Sequence, residues 1–416
     1  MQNDSPLSTP QYLVIQTGAR RRYAVPALFH EHQMGGWLYT DFAGNTGWGK
    51  NLGAMIPKAV QPAGLKKLLG RQIPKEILPK TTTFEWSSLK YSLAMRRAGR
   101  NPVLQAEVNR AYQKDLRNAM KAKGFGEWTH VYSMFGEGHE FLHDARNEGR
   151  KVVTEVFLSP DTHRIMQKLR LENPDLESPL ALETIQFGEE RWNRVLEMTD
   201  YFIVPSPFVA ETLWLPKSEM HRVLYVPYCT PPGWTSLETQ TEPGRVLFVG
   251  SCELRKGIHI LADAAQQFRG GITWRVAGGV SEIIRRHPRF KGLNFLGRVA
   301  RTAIHEEFAR ADVFVLPSFA EGSAEVIFEA LALGLPVITT YESGSVIRHE
   351  REGLIIPKGD PTSLATAIER IVRDREFRDY LSRNARNLAR FYEWEHYGRR
   401  LTHACSTFST LPEQIP

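Results

Sequence analysis

The sequence predicts an α/β protein built from two Rossmann-like halves that face a cleft. Its 416 residues, 42% of them hydrophobic, suffice for two domains with proper cores. Short apolar runs alternate with helical patterns along the whole chain, as parallel sheets require. Between Tyr228 and Gly244 the alternation breaks into a Pro, Gly, Thr and Ser-rich stretch (Pro231-Pro232-Gly233, Pro243-Gly244) that reads as a linker. The first domain is therefore expected over 1–228 and the second over 244–390.

In the first half, Tyr12 to Gln16 reads as a strand ending at Thr17-Gly18-Ala19, with Arg20, Arg21 and Arg22 following at once. Trp128 to Tyr132, Lys151 to Phe157, Asp200 to Ser206 and Arg222 to Pro227 read as further strands, with helices up to about Glu148 and over Phe208 to Leu213. The second half restarts with Arg245 to Gly250 and continues through Thr273 to Ala277, Leu293 to Leu296, Ala311 to Leu316 and Pro336 to Thr339.

Chemistry concentrates where the fourth of these strands ends. Pro317 to Gly322 reads as a loop, Ser323 as the N-cap of a helix reaching about Leu333, and Gly334 with Pro336 as its stop. Ligands of open α/β sheets collect at the carboxyl ends of strands, so the free amides of Ser323 and Ala324 would face an anion such as a diphosphate. Glu329 falls among Val326, Ile327, Ala330 and Leu331, so its carboxylate is partly buried and needs donors, which vicinal ribose hydroxyls would supply. Glu321, ahead of the helix, is expected further out, holding sugar hydroxyls; read alone it would be a solvated loop residue.

The segment Pro317-Ser-Phe-Ala-Glu321 to Glu329, with Gly334-Leu-Pro-Val, resembles the E-x7-E signature of family-4 retaining glycosyltransferases of GT-B architecture. The resemblance implies that Glu329 binds the ribose and Glu321 the donor sugar, with Gly322, Ser323 and Ala324 beside them. Phe248-Val-Gly250-Ser251 to Arg255-Lys256-Gly257 resembles the family's basic phosphate loop, which puts Lys256 on the diphosphate. Ser251 replaces the family's usual arginine, and Arg255 would supply that charge. Gly278, Gly297 and Val299 resemble the base-binding edge, Gly344 the loop around the donor phosphate and sugar, and Phe391 to Tyr397 the closing helix that crosses back (391–416). In the first half, the family's glycine-rich loop is reduced to Gly18, and its sugar-placing histidine has no clean equivalent; Ser133 or His139 stands nearest, as a sugar or acceptor contact.

The resemblance implies a retaining, metal-independent transfer of a sugar from a nucleotide-sugar, of UDP or GDP type, to a glycan or lipid-linked hydroxyl. No Asp-x-Asp motif offers a metal site, and no cofactor is expected. Ser251 and the missing histidine favour the alternative of a non-catalytic nucleotide-sugar or glycan binder. His139-Glu140-Phe-Leu-His143 is a formal H-E-x-x-H, which on a helix would suit zinc hydrolysis, but the extended motif fails at Arg146 and Gly149.

The net charge of +7 is concentrated between Lys58 and Lys123, where fifteen Lys or Arg face four acids among Leu65, Leu68, Leu69, Trp86 and Leu89. Such a mixture suits an anionic membrane surface better than nucleic acid, which is not expected as a partner; a solvated helical face is the plainer reading. The opening residues carry neither a basic leader nor an apolar core, and no apolar run approaches bilayer length, so a cytoplasmic protein, at most peripheral on the inner membrane face, is expected. Cys229, Cys252 and Cys405 are too few and scattered for a disulfide framework or a zinc site.

Overall fold

The computed structural model describes residues 9–56, 61, 63–99 and 101–410. Lys58 and Arg100 of the basic block, the opening residues 1–8 and the end of the closing segment (411–416) lie outside them.

Thirteen strands form two sheets among the described residues. The first contains β1 (Tyr12–Ile15), β2 (Gly35–Thr40), β3 (Thr81–Thr83), β4 (His130–Met134), β5 (Lys151–Glu155), β6 (Tyr201–Val204) and β7 (Val223–Tyr225). Their spatial order is β3-β2-β1-β4-β5-β6-β7. The second contains β8 (Arg245–Val249), β9 (Thr273–Ala277), β10 (Asn294–Gly297), β11 (Val313–Leu316), β12 (Val337–Thr340) and β13 (Gly353–Ile356), in the order β10-β9-β8-β11-β12-β13. Every pairing is parallel.

Parallel strands covered on both faces need continuous apolar runs, and Tyr12-Leu-Val-Ile and Val313-Phe-Val-Leu are buried throughout. β2 and β3 escape a sequence reading: one opens on Gly35-Gly36, which leaves only Trp37-Leu38-Tyr39 as an apolar run, and the other is three threonines. β2 forms because it pairs with β1 over Tyr12 to Ile15.

In each sheet the strand order reverses once, between β1 and β4 and between β8 and β11. Loops at such switch points splay apart and leave a crevice at the carboxyl edge. The closing helix, Trp394–Thr407, returns to the first domain and buries Tyr397, Leu401 and Cys405. The Tyr12 hydroxyl donates to the Cys405 carbonyl at 2.7 Å, tying that helix to β1 of the first sheet.

Candidate active site

The loop after β11 is held from both sides. Glu321 N–H donates to the Glu342 carbonyl at 2.9 Å, and Phe319 N–H to the Arg255 carbonyl at 2.7 Å. The helix that follows spans Glu325–Ala332, with Ala324 at its N-cap position. Ser323 is therefore not the cap: its hydroxyl is buried without a hydrogen-bond partner. Nor is the Ala324 amide free, because it donates to the Ser343 carbonyl at 3.2 Å. The 341–343 turn consumes the loop's donors and delays the helix, so the amides open to an anion belong to its first turn, at Glu325 and Val326. Ser323, Glu325 and Val326 all line a cavity of about 450 Å³ between the two domains.

Glu321 also differs from expectation. It is 8% exposed rather than set further out, and its carboxylate meets Lys256 Nζ at 2.5 Å and Arg255 Nη1 at 3.0 Å. Two cations on one carboxylate leave a net positive charge in the cleft, which suits a diphosphate. Arg255 is further fixed by donating to the Ala320 carbonyl at 2.6 Å, whereas Lys256 hangs from a flexible stem that passes Gly250.

Glu329 is half-buried, as the apolar pattern around it predicts. Burial pushes its carboxyl up to about 7, offset in part by Arg301 and reinforced by Glu325. Gly250, Ser251, Gly278, Gly297 and Val299 gather at the carboxyl ends of β8 to β10. A Cβ on Gly278 would stand 1.7 Å from the Gly250 carbonyl oxygen, so the two loops touch through bare backbone.

Across the cleft the first domain contributes the turn Arg20–Tyr23. Arg21, Arg22 and Tyr23 all have left-handed φ (43°, 53° and 61°), a conformation that costs non-glycine residues of the order of 1–2 kcal/mol each. The turn delivers Arg21 to a buried cluster: its guanidinium pairs with Glu155 at 2.9 Å, lies 3.8 Å over the Tyr228 ring and donates to the Tyr397 hydroxyl. Glu155 also accepts from Tyr132 at 2.7 Å and Tyr228 at 3.2 Å. Arg21 Nε reaches Glu325 of the second domain at 4.0 Å. Arg20 lies 3.5 Å over the Phe157 ring on the cleft wall. Sequence reasoning finds the arginine run but misses Arg21 and Glu155 as a pair; a charged residue ending the apolar strand Lys151–Glu155 is the available signal.

The domains meet at one edge of the cleft. Gly322 approaches Phe157 so closely that a Cβ would fall 1.7 Å from its carbonyl oxygen, and Ser206 Oγ donates to the Gly322 carbonyl. Gly344 packs against that same carbonyl.

Three first-domain expectations are corrected. Ser133 is fully buried inside β4 and donates to the Glu137 carbonyl at 2.8 Å, so it touches no ligand. His139 is buried at the start of the helix His139–Asn147, where burial, then Arg191 and Arg194, lower it to about 4. Gly18 has its amide committed to Asp41 at 2.8 Å. The H-E-x-x-H is indeed helical, but His143 is exposed while His139 is buried, and Glu140 is paired with Arg194 at 2.8 Å. Among the described residues no three His, Cys, Asp or Glu gather to hold a metal ion.

Residues 243–374 match the family model described as glycosyl transferases group 1. This segment is similar to group 1 glycosyltransferase domains. It contains Lys256, Glu321 and Glu329. An uncharacterized glycosyltransferase of Methanocaldococcus jannaschii is 27% identical over 175 residues, 39% of this chain and 45% of that protein. The lipopolysaccharide core biosynthesis glycosyltransferase LpsE of Rhizobium meliloti is 32% identical over 152 residues, 35% and 44% of the two chains. The chain thus spans less than half the length of these curated relatives. The putative glycosyltransferase YtcC of Bacillus subtilis is 26% identical over 320 residues, covering 64% of this chain and 77% of that one. HepE of Anabaena, solved in complex with UDP and glucose, superposes with a TM-score of 0.59 at 14% identity over 96% of this chain and all of HepE. Sucrose-phosphate synthase of Thermosynechococcus elongatus gives 0.59 at 18% identity over 96% and 99%. The two domains thus adopt the GT-B arrangement of two Rossmann-like domains. No helix of the described residues is long and apolar enough to cross a membrane.

Proposed function

We propose that the chain is a retaining, family-4-like glycosyltransferase that moves a hexosyl group from a nucleotide-sugar to an acceptor hydroxyl. The observation that carries this is Glu321 clamped by Lys256 and Arg255 in the interdomain cavity, with Glu329 eight residues on and the first helical amides between them. The diphosphate would lie against Lys256 and the amides of Glu325 and Val326. The half-buried Glu329 carboxylate would accept from the ribose hydroxyls, and Glu321 from the sugar. HepE, solved with UDP and glucose, supports a UDP-sugar as the first donor to try.

Charge develops on the leaving phosphate as the glycosidic bond breaks. Fixed cations and amides already aimed at it lower the barrier without reorganising, and removing one such group typically costs about 10²–10³ in turnover. The acceptor hydroxyl would attack from the face that the nucleotide leaves, its proton passing to the departing phosphate oxygen. Lys256, Arg255 and the helix amides would carry the leaving-group charge, and we expect no metal requirement. The close approach of Gly322 to Phe157 and of Ser206 to Gly322 would exclude water from the sugar.

A thermal-shift series with UDP, GDP, ADP, CMP and dTDP, with and without EDTA, tests this reading on wild type and Glu329→Ala. One nucleotide should raise Tm in the wild type, indifferent to EDTA, and the shift should vanish in the variant. An unchanged shift in Glu329→Ala would refute the ribose assignment.

A further inference from the structure

The turn that carries Arg255 and Lys256 is held from outside its own domain. It follows β8 and spans Leu254–Lys256, and the residue at its capping position, Glu253, gives it no side-chain hydrogen bond. The opening amide of such a turn has no partner within it and needs an acceptor from elsewhere. The first domain supplies that acceptor: Leu254 N–H donates to Glu177 Oε1 at 2.7 Å. The second carboxylate oxygen, Oε2, accepts at 2.9 Å from Arg170 Nε, on the helix Thr162–Glu172.

Glu177 is fixed in this pose. Its neighbour Leu176, Leu169 on the helix and Leu254 on the turn are buried in one apolar cluster that crosses the domain boundary. The Arg170 and Glu177 side chains are only 20% and 15% exposed, so water competes little for the carboxylate. Two more first-domain residues meet the second domain along the same edge, Asn173 with Arg289 at 3.0 Å and Asp175 with His287 at 3.1 Å, but both of those partners lie outside the turn. On the other side, the Arg255 carbonyl accepts from Phe319 N–H at 2.7 Å. The turn therefore has two pins, one from each domain. The pin from Glu177 is the firmer, since a hydrogen bond to a carboxylate is roughly twice as strong as one between neutral groups.

We propose that Glu177 is a positioning residue for the transfer: by capping the Leu254 amide from across the domain boundary, it fixes the turn that aims Lys256 and Arg255 at the leaving phosphate. This role rests on the glycosyltransferase reading and adds a first-domain residue to its leaving-group site. Glu177 does not line the cleft cavity, so it acts through the turn. A shift of about 1 Å in a catalytic group can cost about a hundredfold in rate. Nucleotide binding is shared with Glu329 and the amides of the helix Glu325–Ala332, so the cost of losing the cap falls on turnover.

Hydrogen exchange and steady-state kinetics on the full chain test this role, with UDP-glucose as the first donor and release of glucose as the readout. In Glu177→Ala the Leu254 amide should lose its protection, and kcat should fall about tenfold with KM within about twofold of wild type. Glu177→Gln keeps an oxygen for the amide, so it should retain the protection and recover kcat to within about threefold. Asp175→Asn weakens a contact on the same edge without touching the turn, and its kcat should stay at the wild-type value. The nucleotide thermal shift of all three variants should persist, which shows that they fold. Wild-type kcat in Glu177→Ala would overturn the proposal, as would an equal fall in Asp175→Asn, since any loosening of that edge would then suffice. Equal losses in Glu177→Ala and Glu177→Gln would also sink it, because the carboxylate would then serve Arg170 and not the amide. A wild type that turns over none of UDP-glucose, GDP-mannose and ADP-glucose, while Glu177→Ala still loses the exchange protection, would leave the cap standing and refute the transferase reading instead.

Discussion

The two sheets share one strand order around their switch points, yet the loops set on them are opposite in character. After β8 and β11 the loops are short, and what fills the space between them is charge: Lys256, Arg255 and Glu321. In the first domain, residues 41–129 are inserted between β2 and β4, with one three-residue strand among the described ones, and four helices from that insertion wall off a largely apolar cavity. A parallel sheet provides a crevice at its carboxyl edge, whatever it binds. What the crevice recognises depends on whether its loops contribute fixed charge and amides or apolar surface.

The two halves meet at Arg21, and the contrast between them is most severely broken there. Arg21→Ala would leave Glu155 buried with only Tyr132 and Tyr228 as donors. Breaking a buried pair by removing one partner costs about 3–5 kcal/mol, so a large fall in the urea midpoint is expected. The Tyr397 hydroxyl would have no guanidinium to accept from, so the closing helix should loosen as well. A midpoint near that of wild type would show that Glu155 rehydrates and that the arginine turn is not what holds the halves together.

Gly322→Ala tests the junction of the halves rather than either alone. Its Cβ would collide with the Phe157 carbonyl, so the domains must separate at that edge. Turnover should fall about tenfold or more while nucleotide affinity, a property of the second domain, changes little. A loss of nucleotide affinity with unchanged turnover would mean the loop distorts locally instead.

The smallest effect concerns the second domain alone. Burial lifts the Glu329 carboxyl to about 7, above its value in the unfolded chain. The folded state therefore binds this proton more tightly, and its favourable contribution, complete below the unfolded carboxyl range, is lost as pH rises through about 7. Glu329→Gln removes the cost of an ionised buried carboxylate, so it should raise stability by about 1–2 kcal/mol at pH 8 and little at pH 5. Wild-type nucleotide affinity should rise over the same interval, because the ionised form accepts both ribose hydroxyls. A flat pH response in both measurements would remove Glu329 from the site.

Much of the second domain is legible without coordinates, because its signals are local. β8 and β11 read directly from their apolar runs, and Glu321 and Glu329 keep a fixed spacing along one loop and helix. The sequence reading fails at Ser323 and Ala324 for a reason that is not local: residues 341–343, some twenty positions on, take the Ala324 amide and move the start of the helix. Likewise nothing near Glu321 announces that Lys256 and Arg255 will close on it.

In the first domain the balance reverses. The arginine run and the basic, leucine-bearing stretch are visible in the sequence, but not what they do. Arg21 acquires its role from Glu155, Tyr228, Tyr397 and Glu325, residues spread over most of the chain, and the cavity exists only because four helices pack without filling the space between them. The sequence by itself determined the elements and the chemical types available at each loop, since periodicity and turn chemistry act over a few residues. Tertiary structure alone decided which charges are paired, which amides stay open and where apolar space remains, because burial and long-range packing set those outcomes.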